Sequence, residues 1–499
     1  MKYAMKAILS LCIWFGVVVC AAKKPNIVFI LTDDQDILLG SVTPVKQVQT
    51  LVANKGATFT NAFVSTPICC PSRSSILTGR YLHNHKTTNN SFSGGCSSVN
   101  WQQTLEPRTF GRLLQSAGYR TFYAGKYLNA YGYKEAGGTA HVPVGWDWWL
   151  GLEGNSRYYD YTLSINGTAR HFSDQYLTNV IQNYSVKFLE TVAHSSDSFL
   201  MVLAPPAPHA PYTPEPKYRG KYEGVKVPRT PSFNTQKLKS RHWLVNMAPA
   251  PLPADVVARV DSYQARRWET LLSVDDMVAA TVNTLQQIGQ LDNTYIIYTS
   301  DHGYHLGQYA LPWDKRQPYE TDIRVPMFVR GPGIPAKSLV DSVVVNIDIA
   351  PTIVDMAGLP VPADMDGKSF LQESMSTQRL PPHRSFVLEY EGEGDKNTVS
   401  TDCPLNNDNT LSECYPSSAC KCQDSRNNTY NCIRQIYQES NTLLCCFHEQ
   451  PGVFWEYYDL NTDPYQLNNT YNSLSLPERT QLQSTLKHLT TCRGSSCHH

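Results

Sequence analysis

An α/β fold, built on a large sheet buried on both faces, is what this chain of 499 residues predicts. Two observations carry the prediction. Short, continuous apolar runs alternate with helical stretches, the pattern of strands covered by helices on either side. Four of those runs also stop abruptly on a charged or imidazole side chain. Asn26–Thr32 runs into Asp33 and Asp34, Thr121–Gly125 into Lys126, Phe199–Ala204 through prolines into His209, and Tyr295–Ser300 into Asp301 and His302. In such sheets ligands sit beyond the carboxyl ends of the strands, so one shared site would collect these six side chains.

The remaining segments take their places around that sheet. Lys2 and Lys6 precede an apolar run of 13 residues, Ala7–Val19, and then Cys20-Ala21-Ala22, so residues 1–22 read as a signal peptide. That run is too short to cross a bilayer and no later one approaches 18 apolar residues, so no membrane span is expected. Passage through the secretory pathway fits five Asn-x-Ser/Thr sequons, at Asn89, Asn166, Asn183, Asn427 and Asn468. Residues Ala265–Ile288 form the best helix, with Trp268, Leu271, Leu272, Met277, Val278, Val282, Leu285 and Ile288 on its apolar face. Asp275 and Asp276 within it read as helix-surface or packing groups. Residues 214–262 are proline-rich and carry Lys217, Lys221, Lys226, Lys237, Lys239 and Arg241; they read as a long loop over the sheet edge, either functional or a solvated connector.

A mature chain of about 480 residues exceeds one ordinary core. A composition change near residues 375–385 divides it into a catalytic α/β domain, 23–380, and a small cysteine-rich α+β domain, 381–499, with a strand over Val453–Leu460 and a turn at Asn461–Pro464. Formal charge is zero, 43 basic against 43 acidic residues, which gives no case for nucleic acid or membrane surfaces as partners. Fourteen histidines would turn the protein positive in an acidic compartment and help it attract a polyanion there.

The segment Cys69-Cys70-Pro71-Ser72-Arg73-Ser74-Ser75-Ile76-Leu77-Thr78-Gly79-Arg80 is the most specific in the chain. Pro71 suits a first helical turn and Gly79 a helix end. Cys69 then lies at a helix N-terminus, where free N–H groups favour an anion. A buried cysteine pair beside a turn, or a thiolate nucleophile with a depressed pKa, would also fit that position.

Cys-x-Pro-Ser-Arg followed by Leu-Thr-Gly-Arg resembles the activation motif of the type I sulfatases. The resemblance implies an alkaline-phosphatase-like fold, with a large mixed sheet sandwiched by helices and a small C-terminal antiparallel sheet. It implies that a formylglycine-generating enzyme oxidises Cys69 to formylglycine, an aldehyde that is hydrated in the working enzyme. Asp33, Asp34, Asp301 and His302, with the modified Cys69, would hold a hard divalent cation, Ca²⁺ or Mg²⁺. Lys126 and Lys315 match the family's sulfate-binding lysines, Arg73 the motif arginine that holds the formylglycine side chain, and His209 the histidine that protonates the leaving alcohol. One hydroxyl of the hydrated aldehyde attacks sulfur and expels the alcohol; the second loses its proton and ejects sulfate, restoring the aldehyde. Many sulfatases have histidine two residues after the first lysine, where this chain has Leu128. The group that takes that proton is therefore open among Asn129, His305, His83 and His85.

Further stretches extend the resemblance over the whole mature chain: Leu31–Asp36, Gly125–Asn129, Tyr158–Gly167, Asp301–His305, Asp314–Gln317 and Glu389–Gly394. They look most like the sulfatases that remove 6-sulfate from N-acetylglucosamine units of heparan and keratan sulfate in the lysosome. Leu128 and Asn129 belong to that group's own pattern. Extracellular heparan endosulfatases share several stretches but carry a long basic insertion that this neutral chain lacks, which favours an exo-acting enzyme on a sulfated glycosaminoglycan. A phosphodiester or phosphonate hydrolase, or a silent glycan-binding homologue, are the alternatives. His242 and Trp243, beside Arg241, are candidate glycan contacts, with Asn129 and His305. Trp146, Trp148 and Trp149 could stack on sugar, at least two of them being better placed in a core.

With Cys12 and Cys20 lost with the signal and Cys69 modified, eleven of the 14 cysteines remain, an odd number. Cys70, inside the active-site turn, is the expected unpaired thiol, and Cys492 and Cys497 are close enough to pair.

Overall fold

The computed structural model describes residues 23–498 except 194, 239 and 450. The signal-peptide reading of residues 1–22, and Lys239, lie outside the described residues. A ten-stranded mixed sheet forms the centre. Its strands are β1 (Asn26–Thr32), β2 (Ala57–Phe63), β3 (Arg120–Gly125), β4 (Trp148–Leu152), β5 (Tyr161–Ile165), β6 (Thr168–Phe172), β7 (Phe199–Ala204), β8 (Thr294–Ser300), β9 (Met327–Arg330) and β10 (Ser338–Val345), in the order β10-β2-β9-β8-β1-β7-β3-β4-β5-β6. The four strands that end on polar residues, β8, β1, β7 and β3, are consecutive neighbours and all parallel. Their carboxyl ends therefore share one edge, which is why the polar residues meet.

Every residue of β1 is buried, and the strand alternates between two cores. Ile27, Phe29 and Leu31 join the helices Cys69–Thr78, Phe110–Ser116 and Ile349–Met356. Val28 and Ile30 join Leu177–Val192 and Ala254–Gln287 on the opposite face. Successive side chains of a strand point to opposite faces, so a continuous apolar run is what a doubly covered strand requires.

The long helix begins at Ala254, eleven residues before its expected start, and the proline-rich loop ends correspondingly early at Pro253. Val256 and Val260, one turn apart, are fully buried against Leu39 and Tyr304 and anchor the added turns. Asp275 and Asp276 are packing and surface groups, as expected. Asp275 accepts the N–H groups of Gln47 and Val48, both at 2.9 Å, at the start of helix Lys46–Leu51. Asp276 pairs with Lys217 at 2.9 Å. Trp146 and Trp149 are buried in an aromatic cluster with Tyr123, and Trp148 is half-buried.

The C-terminal part holds β11 (His383–Tyr390), the short pair β12 (Leu411–Ser412) and β13 (Asp424–Ser425), then β14 (Tyr430–Tyr437), β15 (Asn441–Phe447) and β16 (Phe454–Asp459). β11, β14, β15 and β16 make an antiparallel sheet. Its Phe386 packs on Phe63 of β2, ring centroids 5.2 Å apart, within one core continuous with the large sheet. Ser475 caps helix Leu476–Leu489 in a reciprocal box with Glu478.

The expectation for Cys70 is corrected. Cys70 pairs with Cys96, and Cys446 is unpaired. The loop after Lys86 folds back over the start of helix Cys69–Thr78, where Asn90 Oδ1 also accepts the Cys70 N–H at 2.9 Å. Cys445 faces Cys432 across β14 and β15 and bonds to it. Cys446, next along the strand, points to the other face and stands opposite Asn431 and Trp455. Cys403–Cys420, Cys414–Cys422 and the expected Cys492–Cys497 are the other disulfides among the described residues.

His83 joins the two parts of the chain. Its Nδ1 lies 2.8 Å from Glu389 Oε2 on β11, and its Nε2 lies 2.9 Å from Cys492 O. Both ring nitrogens face acceptors, so both must carry protons. Burial opposes that charge, but Glu389, with help from the Cys492 carbonyl and Asp366, raises the pKa above the usual histidine value. A raised folded pKa means stability that is fully present below the unfolded value of about 6.5 and is lost as pH rises through the folded one. His83→Gln is expected to lower the melting temperature more at pH 5 than at pH 8. Equal losses at both pH values would show that the charge contributes nothing.

Candidate active site

Cys69 opens the ten-residue helix Cys69–Thr78, every residue of which is buried. The helix ends on Gly79 at φ 70°, where a side chain would press on Met365 and Pro351. Gly125, just before Lys126, has φ 114° and lies so close to Ala204 O that a Cβ would collide with it. His209 lies between the cis peptides Ala207–Pro208 and Ala210–Pro211.

The strand ends deliver their side chains to one another. Lys126 Nζ is 2.8 Å from Asp33 Oδ2 and 3.0 Å from Oδ1. Lys315 Nζ is 3.0 Å from Asp34. Arg73 donates Nε–H to Asp301 Oδ2 at 2.9 Å and Nη1–H to Lys126 O at 2.7 Å, with Nη2 3.4 Å from Asp33. Ser72 donates its hydroxyl to Asp301 O, which ties the helix to the end of β8. Three carboxylates thus face three permanent cations, all but inaccessible to water.

Burial alone would raise the pKa of Asp34, but Lys315, His209 and His302 hold it down at about 2. Asp33 is likewise lowered by Lys126, His209 and Arg73 against the cost of burial. Burial also disfavours the Cys69 thiolate, yet Lys126 and Lys315 outweigh it and lower the thiol well below its usual range. The same field favours any anion at that position, an ionised oxygen or a sulfate included.

His302 donates Nδ1–H to Gly303 O at 3.0 Å, which leaves Nε2 3.5 Å from Cys69 Sγ and 3.4 Å from Asp34 Oδ1. Ligand atoms of Asp33, Asp34, Cys69 and His302 lie within 4.8 Å of one another. Among the described residues, buried Asp34 Oδ1 has ion-pair neighbours in Lys315 and His302 but accepts no hydrogen bond. An oxygen-rich set with a spare buried carboxylate oxygen fits a hard divalent cation. Asp301 stands at the edge of this set. Its Oδ2 is taken by Arg73, and its Oδ1 accepts the N–H groups of Asp34 and His302, both at 3.0 Å.

His209 Nδ1–H donates to Ala210 O at 2.7 Å, and Nε2 lies 3.9 Å from Asp34 Oδ2. Burial works against its protonation, but Asp34 and Asp33 prevail and raise its pKa. Asp34, His209 and Lys315 line a cleft of about 400 Å³, within the usual range for small-molecule sites.

Other expected residues fall elsewhere. His85 bonds to Ser75 Oγ at 3.0 Å, and His83 to Glu389. His305 is buried with Nδ1 2.9 Å from Asp322. Asn129 is buried, its Oδ1 without a hydrogen-bond partner among the described residues. His242 and Trp243, the candidate glycan contacts on the long loop, are not among the residues that line the cleft. His242 is fully buried, stacked on Phe447 at 4.2 Å, with its N–H on Glu456 at 2.7 Å. Trp243 packs against the Leu244, Val399 and Leu411 cluster. Arg241 is buried among the rings of Tyr309, Tyr319 and Tyr458, 4.2 to 5.5 Å away. This part of the loop fastens the small sheet rather than facing the cleft.

Sequence reasoning missed Ser156, whose hydroxyl donates to Asp33 Oδ2, and Arg267, which donates to Asp34 O at 2.8 Å and Asp36 Oδ1 at 2.7 Å. Arg267 did leave a signal: it lies one turn before Leu271 on the helix's apolar stripe, where an arginine needs a buried partner. Ser156 left none. Nor could the sequence place Glu413, Tyr415 and Gln423 in the cleft wall, because disulfide connectivity sets their path.

The fold and this constellation define a sulfatase. The Sulfatase family model matches residues 25–359, and the chain belongs to that family of sulfuric ester hydrolases. It is 45% identical over 482 residues to N-acetylglucosamine-6-sulfatase of Capra hircus, across 95% of this chain and 85% of that one. Identity to the N-acetylglucosamine-6-sulfatase of Homo sapiens is 44% over 489 residues, 97% and 87% of the two chains. A solved structure described as a complex with its substrate D-glucosamine-2-N,6-O-disulfate matches with a TM-score of 0.73 at 24% identity, covering 93% of this chain and 97% of that one, and so shares the fold. Membership of the family implies formylglycine and a divalent cation.

Proposed function

We propose that the protein hydrolyses 6-sulfate esters of N-acetylglucosamine units at the ends of sulfated glycosaminoglycan chains, in an acidic compartment of the secretory pathway such as the lysosome. The observation that carries this reading is the convergence of Cys69, Lys126, Lys315 and His209 with a cation-binding set at one cleft. Near-full-length likeness to enzymes named for that ester supplies the substrate.

Lys126 and Lys315 bind and neutralise the sulfate oxygens. Arg73, held by Asp301, fixes the side chain at position 69. His209 is locked in one tautomer by Ala210 O, so its Nε2 faces the cleft and can deliver a proton to the departing 6-oxygen. Asp33, Asp34 and His302, with Asp301 beside them, would hold Ca²⁺, or Mg²⁺, which polarises the ester and favours an ionised nucleophile. Formylglycine at position 69, made by a formylglycine-generating enzyme, would supply an oxygen nucleophile that resets by elimination. Exposed Asn166, Asn183 and Asn468, and half-buried Asn89 and Asn427, are the glycan acceptors. The division at 380/381 assigns this chemistry to the first domain.

The test is release of inorganic sulfate from N-acetylglucosamine 6-sulfate by protein secreted from cells that modify cysteine. Turnover should disappear with a chelator and return with Ca²⁺ or Mg²⁺. Faster turnover of phosphate or phosphonate esters than of this sulfate would overturn the reading.

A further inference from the structure

The catalytic cleft continues past the sulfate site. Asn155 and Pro211 belong to its wall and also to the wall of a larger basin of about 760 Å³. Ser156, next to Asn155 and part of the basin wall, donates its hydroxyl to Asp33 Oδ2, so the basin wall is tied to the reaction centre. A different part of the cleft wall is built by Glu413, Tyr415 and Gln423, on a segment cross-linked by two disulfides. A chain leaving the cleft past Asn155 and Pro211 enters the basin.

The basin lining combines aromatic side chains with charged ones, among them Arg157, Glu153 and Asp160. Tyr133, 46% exposed, and half-buried Tyr159 supply aromatic surface. Tyr133 sits over Gly154, where a Cβ would lie 3.0 Å from its hydroxyl. A bridge between Tyr131 and Gly154 holds the two segments together. The Arg157 side chain is 60% exposed and only loosely held: Nη1 donates to Asp160 O at 3.3 Å, and the Asp160 carboxylate is 4.0 Å away.

We propose that this basin is a chain-binding subsite. It holds the saccharide units that follow the sulfated terminal sugar, with Tyr133 and Tyr159 against pyranose faces and Arg157 on a carboxylate or sulfate of the chain. The proposal rests on the 6-sulfatase reading above.

The test compares N-acetylglucosamine 6-sulfate with a glycosaminoglycan tetrasaccharide ending in that sugar, on wild type and on the double variant Tyr133→Ala, Arg157→Gln. The wild type is expected to prefer the tetrasaccharide. The double variant should lose about tenfold in kcat/KM on it, the loss of one aromatic and one charged contact, and keep wild-type turnover of the monosaccharide. Equal wild-type kcat/KM for both substrates, or equal losses on both in the variant, overturns the subsite. If the wild type releases sulfate from neither, the 6-sulfatase reading falls. Calorimetric binding of the tetrasaccharide to wild type and variant then decides the subsite alone, and equal affinities overturn it.

Discussion

Cys69→Ala is expected to abolish sulfate release, with kcat falling by on the order of 10⁴-fold or more, the scale seen when a covalent nucleophile is removed. The side chain is 1% exposed and belongs to no disulfide, so the change removes one sulfur and leaves Cys70–Cys96 and the helix cap at Gly79 in place. Thermal unfolding should therefore stay close to wild type, which separates loss of chemistry from loss of fold. Cys69→Ser gives a sharper result. Serine keeps an oxygen nucleophile beside Lys126 and Lys315 but has one hydroxyl, so it can accept sulfate from the ester and cannot eliminate it. The serine variant should retain up to one sulfate per chain, and the alanine variant none. Mass analysis of the wild-type peptide around Cys69 completes the test: an unmodified thiol in fully active protein would sink the mechanism.

That cysteine was readable in the sequence because a local motif carried it, and the polar strand ends were readable because a parallel sheet aligns carboxyl ends without further information. β8, β1, β7 and β3 needed only to be adjacent for Asp33, Asp34, Lys126, His209, Asp301 and His302 to meet. Lys315 does not directly follow a strand, and its place beside Asp34 was legible only through likeness to other sulfatases. What stayed hidden depends on tertiary path. A loop histidine carries no mark of burial, so His242 read as a surface contact although Phe447 and Glu456 enclose it. Cys70 lies beside the catalytic turn, yet its pairing is decided by a loop that returns from 26 residues away. The early start of the long helix was masked by neighbouring prolines, which stop at Pro253, while Val256 and Val260 already sit at helical spacing.

The second large effect is expected far from the sulfur. Arg384, in β11, donates Nη1–H to Asp348 Oδ2 and Nη2–H to Oδ1, the latter at 3.0 Å, with both side chains 1% exposed. Asp348 also accepts the N–H groups of Val345 at 2.8 Å and Lys368 at 2.9 Å. Arg384→Met would leave its carboxylate ionised and buried on those two donors alone. Breaking one side of such a pair costs about 3–5 kcal/mol, a large part of the roughly 5–15 kcal/mol that holds a domain folded. Arg384→Met with Asp348→Asn should recover part of that loss, because the amide oxygen can still accept an N–H and no charge is stranded. The pair also bears on the catalytic helix. Two residues before Asp348, Asn346 donates Nδ2 to Ser72 Oγ at 2.9 Å and accepts the Ser65 N–H at 2.9 Å, and Ser72 is bonded to Asp301 O. A shift of that turn therefore reaches the sulfate site through Ser72, so Arg384→Met should lower kcat as well as the denaturation midpoint, even at temperatures where the variant is folded. Chemical denaturation followed alongside turnover at low temperature measures both. A midpoint shift worth less than about 1 kcal/mol would show that the pair contributes no more than an exposed one.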